Sequence, residues 1–282
     1  MAYEIGFVNN AGSEGLAHWQ MLLKIKTFAE ANGWTTLRYL APTDGTNREL
    51  IMVGPGLSGD QQIFVGFRTY HDVSADYYNL TAAGFTGYVA ANAFTAQPGY
   101  FETGTPAHNQ RIDYWLVVNG QRINFGLKVG TPVYEHGGAG FFLAYATPGQ
   151  YPYPMFVAGM LNGLAATRFS DTAHSMPYKG SRVNLRIRFV DGSWLQPQVD
   201  PWNNAGLAGA TSQMRDTNGY YPPLPAILMD ATNLYGELEG IYQISGFNNV
   251  VENTMVIDGK TFVVLQDVSR TGFTDYCALE LG

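Results

Sequence analysis

Between Leu16 and Phe28 the apolar residues recur at spacings of three and four. Leu16, Trp19, Leu22, Leu23, Ile25 and Phe28 therefore fall on one face of a helix. Ser13 stands where a cap could start it, and Asn32-Gly33 is a stop signal with Trp34 placed to fold back on the last turn. We expect this helix to pack on its own domain, docking against a neighbouring subunit being the sharper alternative. Beyond Thr46 the period changes to two. Ile63, Val65 and Phe67 alternate with Phe64, Gly66 and Arg68, which is the pattern of a strand with two different faces.

Three hairpins follow from the same alternation. Asn119-Gly120 joins Tyr114–Val118 to Ile123–Val129, where Ile123, Phe125, Leu127 and Val129 alternate with Asn124, Gly126 and Lys128. Asp191-Gly192 follows the alternating Val183, Leu185, Ile187 and Phe189, and Asp258-Gly259 lies between Met255–Ile257 and Thr261–Leu265. These dipeptides suit type I′ turns, whose two central residues both need positive φ. Such signals predict a mainly β protein: an antiparallel sandwich or barrel-like core, one N-terminal amphipathic helix and a small C-terminal β module.

Turn-forming loops occupy Pro42–Asn47, Thr95–Asn109, Pro148–Pro154 and Asp200–Pro225. The last has no clear periodicity and carries Pro201, Pro222, Pro223 and Pro225, so we place a boundary near its end. The expected organisation is a helix plus main β domain over 1–165, a hairpin and long connection over 166–225, with continuity with the first domain as the alternative, and the C-terminal module over 226–282.

Composition sharpens this picture. Charged residues are 14% of the chain against an ordinary ~25%, and 33 Gly, 18 Tyr and 16 Phe take up the difference. That balance favours strands and turns, and leaves few charges to hold surfaces apart. A net charge of −7 argues against direct nucleic-acid binding, and the one basic stripe, Arg182, Arg186 and Arg188, reads as the polar face of a strand. Cys277 is the single cysteine, so no internal disulfide forms. Met1–Asn10 lacks the form of a secretory signal, and no apolar run approaches the ~20 residues of a membrane helix.

No catalytic motif emerges. His18, His71, His108, His136 and His174 are scattered without metal-ligand spacing, and Cys277 has no local nucleophile context. Gly54–Gly59 lacks the Lys-Ser/Thr of a phosphate loop and reads as a turn. Gly137-Gly138-Ala139-Gly140 reads as a place of close backbone packing. Two carboxylate pairs, Asp72 with Asp76 and Glu237 with Glu239, are the candidates for glycan cleavage, though solvent-facing strand and turn positions account for them more simply. We expect no cofactor, no metal and no catalytic site. The aromatic clusters Tyr151-Pro152-Tyr153-Pro154 and Tyr220-Tyr221-Pro222-Pro223, with Trp202, are the candidate contacts, either for assembly or for a ligand such as a sugar.

Several stretches resemble virion proteins of contractile-tailed bacteriophages. They include Trp34–Tyr39, Glu49-Leu50-Ile51, Val65–Tyr70, Asp76–Asn79, Gly84–Tyr88, Val133-Tyr134-Glu135, Gly140–Leu143 and, most distinctively, Tyr145–Pro148 with Gln150–Pro154. In the C-terminal part, Leu234–Leu238, Ile244–Phe247, Arg270-Thr271-Gly272 and Asp275-Tyr276 are similar too. The resemblance implies a non-enzymatic structural protein, assembled in the host bacterial cytoplasm and residing in the virion. It implies a symmetric oligomer at the neck or collar between head and tail, with tail, baseplate or receptor-binding appendage as alternatives. Its partners would be copies of itself and other neck, connector or tail proteins, with a host surface glycan for the appendage alternative and no membrane.

Overall fold

A computed structural model describes residues 1–42, 47–171, 173–179, 184–246 and 249–282. Arg182 of the basic stripe and Val183 of the third alternating strand lie outside these described residues.

The chain opens with strand β1 (Ala2–Asn9) and helix α1 (Ala17–Ala31). Strands β2 (Thr35–Leu40), β3 (Glu49–Gly54), β4 (Ile63–Asp72), β5 (Tyr77–Phe85) and β6 (Phe101–Pro106) then form a five-stranded antiparallel meander, sheet B. Sheet A takes β1, β7 (Arg111–Val118), β8 (Arg122–Gly130), β9 (Val133–Phe141), β11 (Met155–Ala158), β12 (Arg186–Arg188) and β13 (Trp194–Leu195), in that order. Sheet C runs β14 (Gln198–Asp200), β15 (Leu224–Met229), β16 (Leu234–Gln243), β19 (Tyr276–Glu280), β18 (Lys260–Gln266) and β17 (Thr254–Ile257), and the short β10 (Leu143–Ala144) pairs with β16. The protein is mainly β and antiparallel, with the predicted helix near its N-terminus. The C-terminal strands share their sheet with β10 and β14, which come from much earlier in the chain.

Sheet A is the middle layer, and the alternation of its strands shows why. On β7, Ile112, Tyr114, Leu116 and Val118 join a core with α1 and with Leu50, Met52, Val65 and Phe67 of sheet B. Trp115 and Val117, of opposite parity, join the second core with Leu238, Val263, Leu265 and Leu279 of sheet C. On β8 the apolar set Ile123, Phe125, Leu127 and Val129 likewise faces sheet B. Smaller clusters cover the outer faces, with Ile51, Phe85 and Phe94 beyond sheet B and Tyr221, Ile244, Phe262 and Tyr276 beyond sheet C.

Helix α1 buries Trp19, Leu22 and Ile25 as its periodicity requires, and packs against β1, β4 and β7 of its own chain. It begins four residues after Ser13, however. Leu16 is the N-cap and supplies no side-chain bond; the first helical amide, that of Ala17, is satisfied by the Asn109 carbonyl at 2.9 Å. A loop from elsewhere thus replaces the local cap. At the other end the Trp34 amide donates to the Ala29 carbonyl, and its indole Nε1 donates to the Asn119 carbonyl at 2.7 Å, tying the helix end to the β7–β8 hairpin.

All three predicted hairpins form, but only one uses the predicted turn. Asp258 (φ 50°) and Gly259 (φ 79°) both lie in the left-handed region, as type I′ demands. At Asp191-Gly192 only the glycine does, in a longer loop closed by Gly192 N–H to the Phe189 carbonyl and Phe189 N–H to the Ser193 carbonyl. Neither Asn119 nor Gly120 has positive φ. There the Asn119 carboxamide oxygen accepts from the amides of Gln121 and Arg122, while the Gly56 amide donates to the Gly120 carbonyl at 2.8 Å. A Cβ on Gly120 would lie 2.3 Å from the Gly56 carbonyl oxygen, so glycine is needed there for close approach and not for its dihedral freedom.

Replacing Gly120 with Val should therefore cost about 1–3 kcal/mol through overpacking against the Gly54–Gly59 turn. A urea-unfolding midpoint indistinguishable from wild type would refute the docking of that turn on the hairpin.

Candidate functional site

The five aromatic residues singled out in the sequence divide into an interior set and a set at one cavity. Trp202 is 7% exposed and lies within the core between sheets A and C, 5.6 Å from the Tyr178 ring. Tyr151 is 4% exposed, meets Phe142 edge-on, and donates its hydroxyl to the Arg188 carbonyl. Tyr153 is half-buried against Phe141, with the Arg188 guanidinium 5.8 Å from its ring. The Tyr-Pro segment thus seals one end of sheet A, and the Tyr151 and Trp202 rings offer little surface to any partner. Their amphipathic chemistry reads the same in either role, which is why sequence alone does not separate packing from recognition.

Tyr220 and Tyr221 lie on another face: Tyr221, 3% exposed, belongs to the small core beyond sheet C, and Tyr220 is half-buried at its margin. The segment before β15 carries a short helix, α2 (Ala205–Thr211), capped by the Asn204 side chain accepting from Leu207 N–H at 3.1 Å. The chain then turns at Asp216, whose carboxylate accepts from the amides of Asn218 and Tyr220, and lays Tyr220–Pro223 across the outer face of sheet C. A cavity of about 550 Å³ opens there, walled by Tyr220, Tyr221, Tyr242 and Phe262 and rimmed by Arg215, Asp216, Asp258 and Lys260. Within it Arg215 Nη2 donates to the Tyr221 hydroxyl at 2.7 Å, and the Tyr242 hydroxyl donates to Glu280 at 2.7 Å, with Lys260 3.1 Å from the same carboxylate.

The carboxylate pairs are held by local structure. Asp72 Oδ1 accepts from the amides of Ser74 and Ala75 and from the Ser74 hydroxyl, which holds its carboxyl below the usual range, and Asp76 (φ 54°) lies in the same β4–β5 turn. Glu237 accepts from the Tyr145 hydroxyl at 2.8 Å, fastening β16 to the segment after β10. Glu239 has a larger task. A single carboxylate oxygen accepts from Asn119 Nδ2, Gln121 Nε2 and Arg122 Nε at 3.0, 2.7 and 3.0 Å. Burial by itself would push this carboxyl up, but Arg122 and the amide donors more than offset that and hold it below its ordinary value. Arg122 is fully buried, so this pair bolts the β7–β8 hairpin to sheet C.

Two histidine environments escape sequence spacing entirely. His18 on α1 and His71 on β4 come within 5.4 Å, flanked by Trp19 and Tyr78. Burial, then His71 and Arg48, drive the His18 pKa well below its ordinary value. Arg48 stacks 3.8 Å over Trp19 and pairs with Glu14, a cationic setting that disfavours a metal ion. His136 lies 3.8 Å from the Cys277 sulfur, but its Nε2–H donates to the Gln266 carbonyl at 2.8 Å, and burial pushes the thiol far up, the reverse of an activated nucleophile. Among the described residues no group of three or more His, Cys, Asp or Glu is arranged to hold a metal.

A buried ionic cluster does join distant parts of the chain. His174 Nε2 lies 2.8 Å from Glu135, and Asp267 accepts from the Met176 amide and the Ser175 hydroxyl while pairing with Arg270 at 3.1 Å. Burial pushes the Glu135 carboxyl up to about 7, against the pull of the His174 contact. No family model matches this chain, and no curated protein matches it either.

Two expectations follow. Glu239→Ala strands the Arg122 guanidinium in the interior and should cost about 3 kcal/mol, whereas the double change of Arg122 and Glu239 to Met should cost clearly less. Equal losses in denaturant melts would show that the pair does not act as a unit. For Glu135, the folded carboxyl holds its proton to about pH 7 while the unfolded one releases it near 4.5, so stability falls as pH rises through that window. The effect is on the order of 3 kcal/mol. Glu135→Gln should remove that slope, read as the wild-type-minus-variant difference in melting temperature between pH 4.5 and 7.5; a pH-independent difference would contradict the shift.

Proposed function

We propose that this chain is a non-enzymatic structural protein of a tailed-phage particle, working as a symmetric oligomer at the neck or collar, with the tail or baseplate as the alternative location. The sequence segments similar to contractile-tailed phage virion proteins support the virion assignment. The commitment of Asp72, Glu237 and Glu239 to turns and inter-sheet contacts supports a non-enzymatic role.

The observation that carries the assembly reading is strand β1. Among the described residues it forms one edge of sheet A and pairs with β7 alone, in register from Ala2↔Val118 to Asn9↔Arg111. Its alternation is inverted relative to an ordinary edge. Tyr3, Ile5 and Phe7 point outward and are 49%, 49% and 52% exposed, while Glu4 turns inward. Glu4 accepts from Tyr114 and pairs with Lys24, and these bonds more than offset its burial, holding it ionised on the inner face. An eight-residue edge without proline, lysine or bulge, carrying a row of large apolar side chains, is a surface that monomers usually blunt. In a ring, each such edge would meet a different patch on the next subunit, closing by rotation.

Light scattering on purified wild type should report an oligomer. Ile5→Asp should shift it to monomer with little change in melting temperature, because the Ile5 side chain is half exposed within one chain. A wild-type monomer at every concentration, together with a purified particle whose cryo-EM density has no place for this chain, would dismiss the reading.

A further inference from the structure

The cavity on the outer face of sheet C is a ligand site in its own right, and we propose that it binds a neutral saccharide. Its volume of about 550 Å³ falls within the roughly 300–1,000 Å³ typical of small-molecule sites. The walls and rim together select the class of ligand. Tyr220 and Tyr242, both half-buried, present aromatic surface with Phe262 packed behind them, which favours a ligand with an apolar face. The hydrogen-bonding groups on the rim are of both kinds. The Asp258 carboxylate and the Arg215 guanidinium are exposed on the rim, and Arg215 donates Nη2 to the Tyr221 hydroxyl while stacking 4.7 Å over its ring.

The rim carries two cations, Arg215 and Lys260, and two carboxylates, Asp216 and Asp258, so it has no net charge with which to select an ion of either sign. A wholly apolar ligand would cover the Asp258 carboxylate and the Arg215 guanidinium without bonding them, which is costly. A pyranose satisfies all three constraints: its C–H face stacks on a tyrosine ring, and its neighbouring hydroxyls both donate to a carboxylate and accept from a guanidinium.

The local backbone holds these groups in place. Asp258 is the first central residue of the type I′ turn, so its side chain starts from a fixed turn position. Tyr220 is set by the hydrogen bond its backbone N–H donates to the Asp216 carboxylate and by the Pro222-Pro223 pair that follows. None of these residues belongs to β1, so saccharide binding and self-assembly are separable properties of the chain.

The test is saturation-transfer difference NMR on the full chain with maltotetraose, cellotetraose, chitotetraose and a β-galactotetraose, followed by titration calorimetry on any that respond. Two variants preserve the fold by design: Tyr220→Ala removes a half-exposed ring, and Asp258→Asn keeps a residue that the type I′ turn accepts. We expect transfer to at least one tetrasaccharide, weakened about tenfold by Tyr220→Ala and measurably by Asp258→Asn, with circular dichroism melts unchanged. Absence of transfer from all four at millimolar concentration overturns the proposal. Binding that neither variant alters also overturns it, since the sugar then sits elsewhere. Adenosine binding more tightly than any saccharide, and losing affinity with Tyr220→Ala, would replace the ligand class. The light-scattering result for the β1 variant bears on assembly alone and leaves each of these outcomes unchanged.

Discussion

The structure depends on one sheet having to bury both of its faces. Sheet A lies between sheet B with α1 on one side and sheet C on the other, so β7, β8 and β9 each carry two interleaved patterns. On β8 the two patterns are unequal. Ile123, Phe125, Leu127 and Val129 make an ordinary apolar stripe toward sheet B. The opposite positions are Arg122, Asn124 and Gly126, an unpromising surface to bury. The protein makes it tolerable by pairing Arg122 with Glu239 and by removing side chains where backbones converge. A Cβ on Gly126 would lie 2.4 Å from Leu265 of sheet C, and one on Gly138 would lie 2.8 Å from the Ile123 carbonyl oxygen. A buried charge pair contributes little net stability over an apolar substitute, but breaking it is costly, so its effect here is to fix how the hairpin sits on sheet C.

That arrangement also explains why the C-terminal strands are not independent of the rest. β16 takes β10 as a neighbour, and Val263, Leu265 and Leu279 complete the core that begins with Trp115 and Val117. The cluster around Glu135, His174 and Asp267 then ties β9 and the 173–179 segment to the loop after β18. The outer face of sheet C is left with only a thin cover from the segment before β15, and a cavity forms under that cover because two prolines and two tyrosines cannot fill it as a packed strand would.

The candidate contacts illustrate how far residue type reaches. Tyr151, Trp202 and Tyr221 carry the same local signal, an aromatic ring beside proline in a loop, yet Trp202 belongs to an inter-sheet core and Tyr221 to the wall of a cavity. Strand β1 shows the limit from the other side. Tyr3, Ile5 and Phe7 alternate with Glu4 and Gly6 as a strand's residues do, but alternation alone does not say which face is covered, and that is decided by Lys24 and Tyr114, which hold Glu4 on the covered face.

Features that rest on contacts close in the chain are legible in the order of residues. Period-two alternation specified the β4, β7 and β8 strands, period 3.6 specified α1, and Asp258-Gly259 specified its turn, because each is a preference of the local backbone and its nearest side chains. Tertiary structure alone decided the rest. The cap of α1 is the Asn109 carbonyl, Gly120 is required by the Gly56 carbonyl, Arg122 is neutralised by Glu239, and Tyr220 meets Tyr242 across a cavity. Each of those partners lies from about twenty to more than a hundred residues away, and loop closure over such distances is set by how three sheets stack, for which no short-range pattern exists.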